Sequence, residues 1–181
     1  DPAYCPGVMS SKRESGHTPP TRIALEPGDG LRIDLGVISE GYASDLMRTW
    51  YIPKPGDSGP PAEFQRAFDV VRDSIQLAAD ALRPGVTGTD IDTVARSYVT
   101  NHGYEFFHAT GHQVGTRAHD GGLLLGPNNA RYGHRSAGTI QEGMTFTLEP
   151  VFGPIGIEEN VVVTAEGCEF LVPPQREIIV I

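Results

Sequence analysis

Carboxylates placed inside segments that otherwise read as buried strands limit what this chain can fold into. Asp34 lies between Ile33 and Leu35, Glu149 closes the run Phe146-Thr147-Leu148, and Glu158 follows Ile157 and precedes Val161-Val162-Val163. An unpaired carboxylate in apolar surroundings costs several kcal/mol at least. Taken singly, each has an ordinary reading, in which the strand alternates and the acid points to solvent. Taken with Asp45 they are harder to dismiss. Asp34 and Asp45 fall on two segments that read as one hairpin, eleven residues apart, and Glu149 and Glu158 flank a second turn, nine residues apart. Two hairpins that each present two acids point to one shared pocket. Four carboxylates do not all ionise in one pocket unaided. Two divalent cations would neutralise them, and a histidine would complete the set as a neutral nitrogen ligand. Hard oxygens with one imidazole suit Mn, Co, Fe or Zn.

The histidine candidates cluster in His108-Ala109-Thr110-Gly111-His112-Gln113-Val114-Gly115, with His119-Asp120-Gly121-Gly122 just beyond. His108 and His112 are four apart, a spacing that on a helix makes a two-histidine zinc face. No Glu follows His108 here, and Gly111 and Gly115 argue against a helix. The segment reads instead as a strand or loop with one ligand histidine and the others lining a pocket.

The rest of the chain supplies a frame. Residues 1–29 read as loop, broken by Pro2, Pro6, Gly7, Pro19, Pro20, Pro27 and Gly28. Leu31–Val37 and Tyr42–Ile52 read as antiparallel strands around a polar Ser39-Glu40-Gly41 turn. After a Pro/Gly/Ser linker at 53–61, Phe64, Phe68, Val71, Ile75, Ala78 and Leu82 form one stripe of a helix at about 62–82, stopped by Arg83-Pro84-Gly85. Thr89 with Asp92 suggests the cap of a second helix at about 90–101, which carries Ile91, Val94, Ala95 and Tyr98 and ends at Gly103. Strands are expected at Met144–Glu149, Ile157–Thr164, Glu169–Val172 and Glu177–Ile181. The chain has 181 residues, enough for one domain with a real core. Its net charge of −9 leaves no basic surface to hold nucleic acid, and no run approaches the roughly 20 apolar residues of a membrane span. Cys5 and Cys168 are too few and too far apart for a disulfide framework, which leans toward a reducing, cytoplasmic setting.

Several of these segments resemble the pita-bread metallopeptidase family, and within it the Xaa-Pro aminopeptidase and Xaa-Pro dipeptidase (prolidase) branch. They are Ile33-Asp34-Leu35-Gly36, Gly41–Thr49, Leu82–Thr87, His108–Gly115, Gly143–Pro150 and Ile157–Thr164, in order and with the family's eleven-residue Asp spacing. Asp45-Leu46-Met47-Arg48-Thr49 is similar to the D-x-x-R-T of that branch. The resemblance implies an α+β fold, a curved and mainly antiparallel sheet covered by helices in two pseudo-twofold halves. By that resemblance the first helix pair would be missing here, and residues 1–181 would form a single, N-terminally truncated catalytic domain. It implies metal ligation by Asp34, Asp45, His112, Glu149 and Glu158, with Asp45 and Glu158 bridging two ions, Mn foremost and Co, Zn or Fe as alternatives. A hydroxide between the ions would be the nucleophile, and Glu149 would carry its proton to the leaving amine. His108 and His119 would act on the substrate side, joined by His17 as a further substrate-binding histidine. The implied activity is hydrolysis of the N-terminal Xaa-Pro bond of short proline-containing peptides, with no nucleic-acid or membrane partner and a homodimer left open. The alternatives are a creatinase-like amide or amidine hydrolase and a catalytically inactive binding module. One departure is notable: Gly156 stands where the Xaa-Pro enzymes often carry Arg.

Overall fold

The structure, a computed structural model, describes residues 2–4, 6–11 and 22–181. In chain order its elements are β1 (Gly7–Ser10), β2 (Gly30–Leu35), β3 (Ile38–Ser39), β4 (Tyr42–Ala43), β5 (Leu46–Tyr51), helices α1 (Ala62–Ala81) and α2 (Gly88–Asn101), β6 (Gly111–His112), β7 (Leu124–Leu125), a 3-10 turn at Gly133–Ser136, β8 (Thr145–Leu148), β9 (Val151–Phe152), β10 (Ile155–Gly156), β11 (Glu159–Val163), β12 (Cys168–Phe170) and β13 (Ile179–Val180).

Two small sheets carry the molecule. The first has the order β1-β2-β5-β13 and the second β12-β11-β8. In the first, β2 and β5 run antiparallel with Asp34 opposite Met47 and Leu35 opposite Leu46, the hairpin expected from the sequence. Its second arm is interrupted at Ser44-Asp45, because the Asn160 side chain takes over the Asp45 backbone. The Asp45 N–H donates to Asn160 Oδ1 at 3.0 Å, and Asn160 Nδ2 donates to the Asp45 carbonyl at 2.6 Å. β1 lies in the stretch that reads as loop. Its four residues become a strand only by pairing with β2, Gly7 opposite Asp34 and Met9 opposite Arg32. β13 joins the other edge in parallel, Ile179 opposite Trp50.

The helices cover these sheets. In α1 the expected stripe is the buried one: Phe68, Val71, Ala78 and Leu82 are wholly inaccessible, and they pack with Phe146, Leu148, Ile157 and Val161 of the second sheet's side. α2 begins earlier than the sequence suggests. Thr87, not Thr89, is its cap, and Asp90 completes the capping box. Thr89 instead donates to the Ser136 carbonyl, and Asp92 is buried with other partners. Ile91, Ala95 and Val99 face the core, while Val94 lies toward solvent. No described helix is long and apolar enough to cross a membrane.

The sheets meet along a seam. Met47 and Glu158 form an isolated antiparallel bridge, with Glu158 N–H donating to Met47 O at 3.1 Å and Met47 N–H to Glu158 O at 3.3 Å. Arg48 locks this seam from one side. Its guanidinium donates to the carbonyls of Met47 and Glu158 and to Glu159 Oε2, each at 2.9 Å. Glu159 is inaccessible, and its other carboxylate oxygen accepts the Gln175 N–H at 2.8 Å. Gln175 in turn pairs with both backbone groups of Thr49. Removing one partner of such a pair strands a buried charge. Arg48→Met should therefore cost about 3 kcal/mol in urea unfolding. The double variant Arg48→Met/Glu159→Leu should recover a substantial part of that loss, and an additive double variant would show the two side chains to be independent.

Candidate metal centre

The seam brings the four acids together. Asp34 sits on β2 and Asp45 just before β5; Glu149 follows β8 and Glu158 precedes β11. Oxygens of Asp34, Asp45 and Glu158 lie within 4.8 Å of one another, and so do ligand atoms of His112, Glu149 and Glu158. His112 Nε2 is 3.3 Å from Glu149 Oε1, 3.7 Å from Asp45 Oδ2 and 4.0 Å from Glu158 Oε1. Asp34, Asp45, His112 and Glu158 are buried and Glu149 is partly exposed.

The electrostatics of this cluster are unfavourable without a cation. Burial, and then the charges of Asp45 and Asp34, push the Glu149 carboxyl well above the usual range. Burial, then Glu149, Asp45 and Asp34, do the same to Glu158. His112 offers no positive charge in return, since burial pushes its imidazole down to about 4. Its Nδ1–H donates to the Gln113 carbonyl at 3.1 Å, which leaves the Nε2 lone pair aimed at the acids. A neutral imidazole fixed through its far nitrogen is the usual arrangement of a histidine ligand. The donor set, four hard oxygen groups and one imidazole, fits divalent cations.

The segment carrying His112 is held by α2. Asp92 accepts from Arg96 through both carboxylate oxygens at 2.8 Å, and its Oδ1 also accepts from the Thr110 hydroxyl at 2.9 Å. Arg96 donates onward to the carbonyls of Phe106 and His108, each at 2.7 Å. Below it, β6 presses so closely on β8 that a Cβ at Gly111 would meet the Thr147 carbonyl oxygen at 1.8 Å. Only glycine permits that approach, which lets the Thr147 hydroxyl accept the His112 N–H at 3.1 Å. His112 thus sits on a two-residue strand paired with Leu124-Leu125, not on a helix.

Of the other expected histidines, His119 stacks on the His112 ring with centroids 4.2 Å apart, and His108 lines the same cavity. His17 lies outside the described residues. Two adjoining cavities of about 470 and 620 Å3 share Asp34, His112, His119 and Glu149. The first is lined also by Arg32, His108, Leu124, Tyr132 and Arg135, and the second by Tyr4, Ala43, Asp45, Arg117 and Glu158. The acids therefore stand between two spaces, each of a size to take part of a short peptide.

Tyr4 and Asn160 escaped sequence reasoning. The Tyr4 hydroxyl sits between Asp34 Oδ1 and Asp45 Oδ1 and shares its one proton with them, and burial followed by these contacts pushes its pKa far up, so that it stays a neutral phenol. It lies in a proline-broken stretch with no periodicity. Asn160 had a visible signal, an amide inside the apolar run between Ile157 and Val163.

The profile of metallopeptidase family M24 matches residues 1–165. The Xaa-Pro dipeptidase of Pyrococcus furiosus is 32% identical over 181 residues, covering 96% of this chain and 45% of that protein. That of Lactobacillus helveticus is 31% identical over 173 residues, 91% of this chain and 43% of its own length. The crystal structure of X-Pro aminopeptidase from Thermotoga maritima superposes with a TM-score of 0.86 at 29% identity, over 99% of this chain and 49% of that one. This chain thus spans less than half the length of the curated relatives it matches. The α+β architecture is the pita-bread fold expected from the sequence. The chain belongs to metallopeptidase family M24, on its Xaa-Pro peptidase side.

Proposed function

We propose that this chain is the catalytic part of a metallopeptidase that hydrolyses the N-terminal Xaa-Pro bond of short peptides, with two divalent cations, Mn foremost, held by Asp34, Asp45, His112, Glu149 and Glu158. The observation that carries the reading is the convergence of four carboxylates and one neutral imidazole nitrogen between two peptide-sized cavities. Asp45 and Glu158 would serve both ions; this is supported by Asp45 lying near Asp34 on one side and His112 on the other, and by Glu158 belonging to both clusters. When bound, the cations supply Lewis acidity toward a carbonyl and make water a nucleophile near neutral pH.

The chain's own residues divide the remaining work. Glu149 is the acid of the four that reaches both cavities while partly exposed, and its carboxylate takes the proton of the attacking water and delivers it to the departing nitrogen. His108 donates its Nδ1–H to the Ala109 carbonyl at 2.7 Å, and burial keeps the ring neutral. Its Nε2 is therefore an acceptor, suited to a substrate N–H. Support of the developing oxyanion falls to His119, which stands beside His112 at the opening.

Three results would test this reading. Metal-free protein titrated with Mn or Co should take up close to two ions per chain by calorimetry; no uptake would sink the dinuclear centre. A Xaa-Pro dipeptide and a Xaa-Pro-Xaa tripeptide, followed by amino-acid release, should show cleavage of at least one, whereas metal-loaded protein that cleaves neither would be a binding module. Glu149→Gln should lower turnover by at least about 100-fold, with the circular dichroism of the folded chain retained. Near-normal turnover would remove Glu149 from the proton-transfer role.

A further inference from the structure

Arg32 is a buried guanidinium that, among the described residues, no carboxylate binds. Arg48, Arg72 and Arg96 each hold a carboxylate oxygen at 2.7–2.9 Å. Arg32 is only 6% exposed, its Nη1 reaches no closer than 3.4 Å to the carbonyls of Gly153 and Ile155, and its Nε has no partner among the described residues. An unpaired buried cation costs several kcal/mol unless something nearby repays it. Arg32 stands two residues before Asp34 on β2, so both side chains share one face of that strand. Its side chain lines the cavity that holds Asp34, His112 and Glu149, and the charges that act on it favourably are Asp34, Glu158 and Glu149.

Gly156 makes room for it. A Cβ at position 156 would lie 2.6 Å from Arg32 Cδ, 2.5 Å from Met47 Sδ and 2.8 Å from Val151 Cγ2. The Arg32 stem thus runs through the space where any side chain at 156 would begin. Glycine at 156 and arginine at 32 form one structural unit.

We propose that Arg32, admitted by Gly156, is the charge-balancing residue of the carboxylate cluster, moderating its hold on divalent cations and leaving the loaded site with a net positive charge. The inference rests on the metal reading above. Four acids and two divalent ions sum to zero; Arg32 makes the sum +1, the sign that favours the anionic intermediate of amide hydrolysis. Arg32 touches none of the acids within hydrogen-bond distance, so it acts on them through the field. A divalent ion feels that field twice as strongly as a proton does.

The test is calorimetric titration of metal-free protein with MnCl2, comparing the parent with Arg32→Met, Arg32→Lys and Gly156→Ala. Arg32→Met keeps most of the stem and removes the charge; it should bind Mn roughly tenfold tighter. The gain should survive added salt, because buried charges are poorly screened. Arg32→Lys should stay within about twofold of the parent, since the charge remains. Gly156→Ala, which displaces the guanidinium, should shift in the same direction as Arg32→Met. Damage to the fold loosens a metal site, whereas loss of a nearby positive charge tightens it. Unchanged or weaker Mn binding by folded Arg32→Met overturns the proposal. If that variant does not fold, unchanged affinity in Gly156→Ala overturns it equally. A parent protein that binds no Mn at all overturns the metal reading itself.

Discussion

Mutual repulsion among four carboxylates brought to one point is the constraint the rest of the molecule answers. Two unit charges about 4 Å apart repel by several kcal/mol in partly dry surroundings, and here three of the four acids are buried. Strands alone would not hold them so. The Asn160 amide grips the Asp45 backbone, Arg48 grips the Glu158 carbonyl, and Asp92 with Arg96 grips the loop leading to His112. Each is a hydrogen-bonded clamp on backbone next to a site residue, which leaves the site side chains free to face one another. Tyr4 adds a neutral donor between Asp34 and Asp45, easing the repulsion without cancelling the charge.

Much of this was legible in the amino-acid order. Acids inside apolar runs signalled a shared pocket because burial makes an isolated carboxylate costly, and the α1 stripe signalled its own packing face. His112 in a strand followed from Gly111 and Gly115, whose freedom disfavours a helix. What was not legible depends on partners far along the chain. β1 is a strand only through β2, and β13 only through β5. The Thr87 cap was mistaken for Thr89 because both fit the same short pattern, and only the Ser136 carbonyl decides where the Thr89 hydroxyl goes. Tyr4 gave no local signal at all. Its role exists only once residues 30 and 41 positions later fold back against it.

Gly156 has a meaning in space that its place along the chain does not show. By position it is the absence of a side chain; in space it is the passage for Arg32. Packed strands share volume, so the smallest residue on one sets how a long side chain on the other can run. The same logic applies to the Glu159–Arg48–Gln175 network, whose members come from three separate segments and have meaning only as a group.

The seam at Met47 and Glu158 has a mechanical consequence. Asp34 lies on the first sheet, Glu149 and Glu158 adjoin strands of the second, Asp45 is held to the second by Asn160, and His112 is tied to the second through the bridge between Gln113 and Phe146. Asp34 is fixed by the ladder of the first sheet, whereas the Asp45 backbone is held across the seam by Asn160 of the second. The gap between Asp34 and the other acids is set by how the two sheets lie along the seam. A small slide there acts as a vernier, altering that gap while the acids tied to the second sheet keep their places. Substitutions far from the acids, wherever they shift that slide, would retune the spacing of the centre while leaving every one of its residues unchanged.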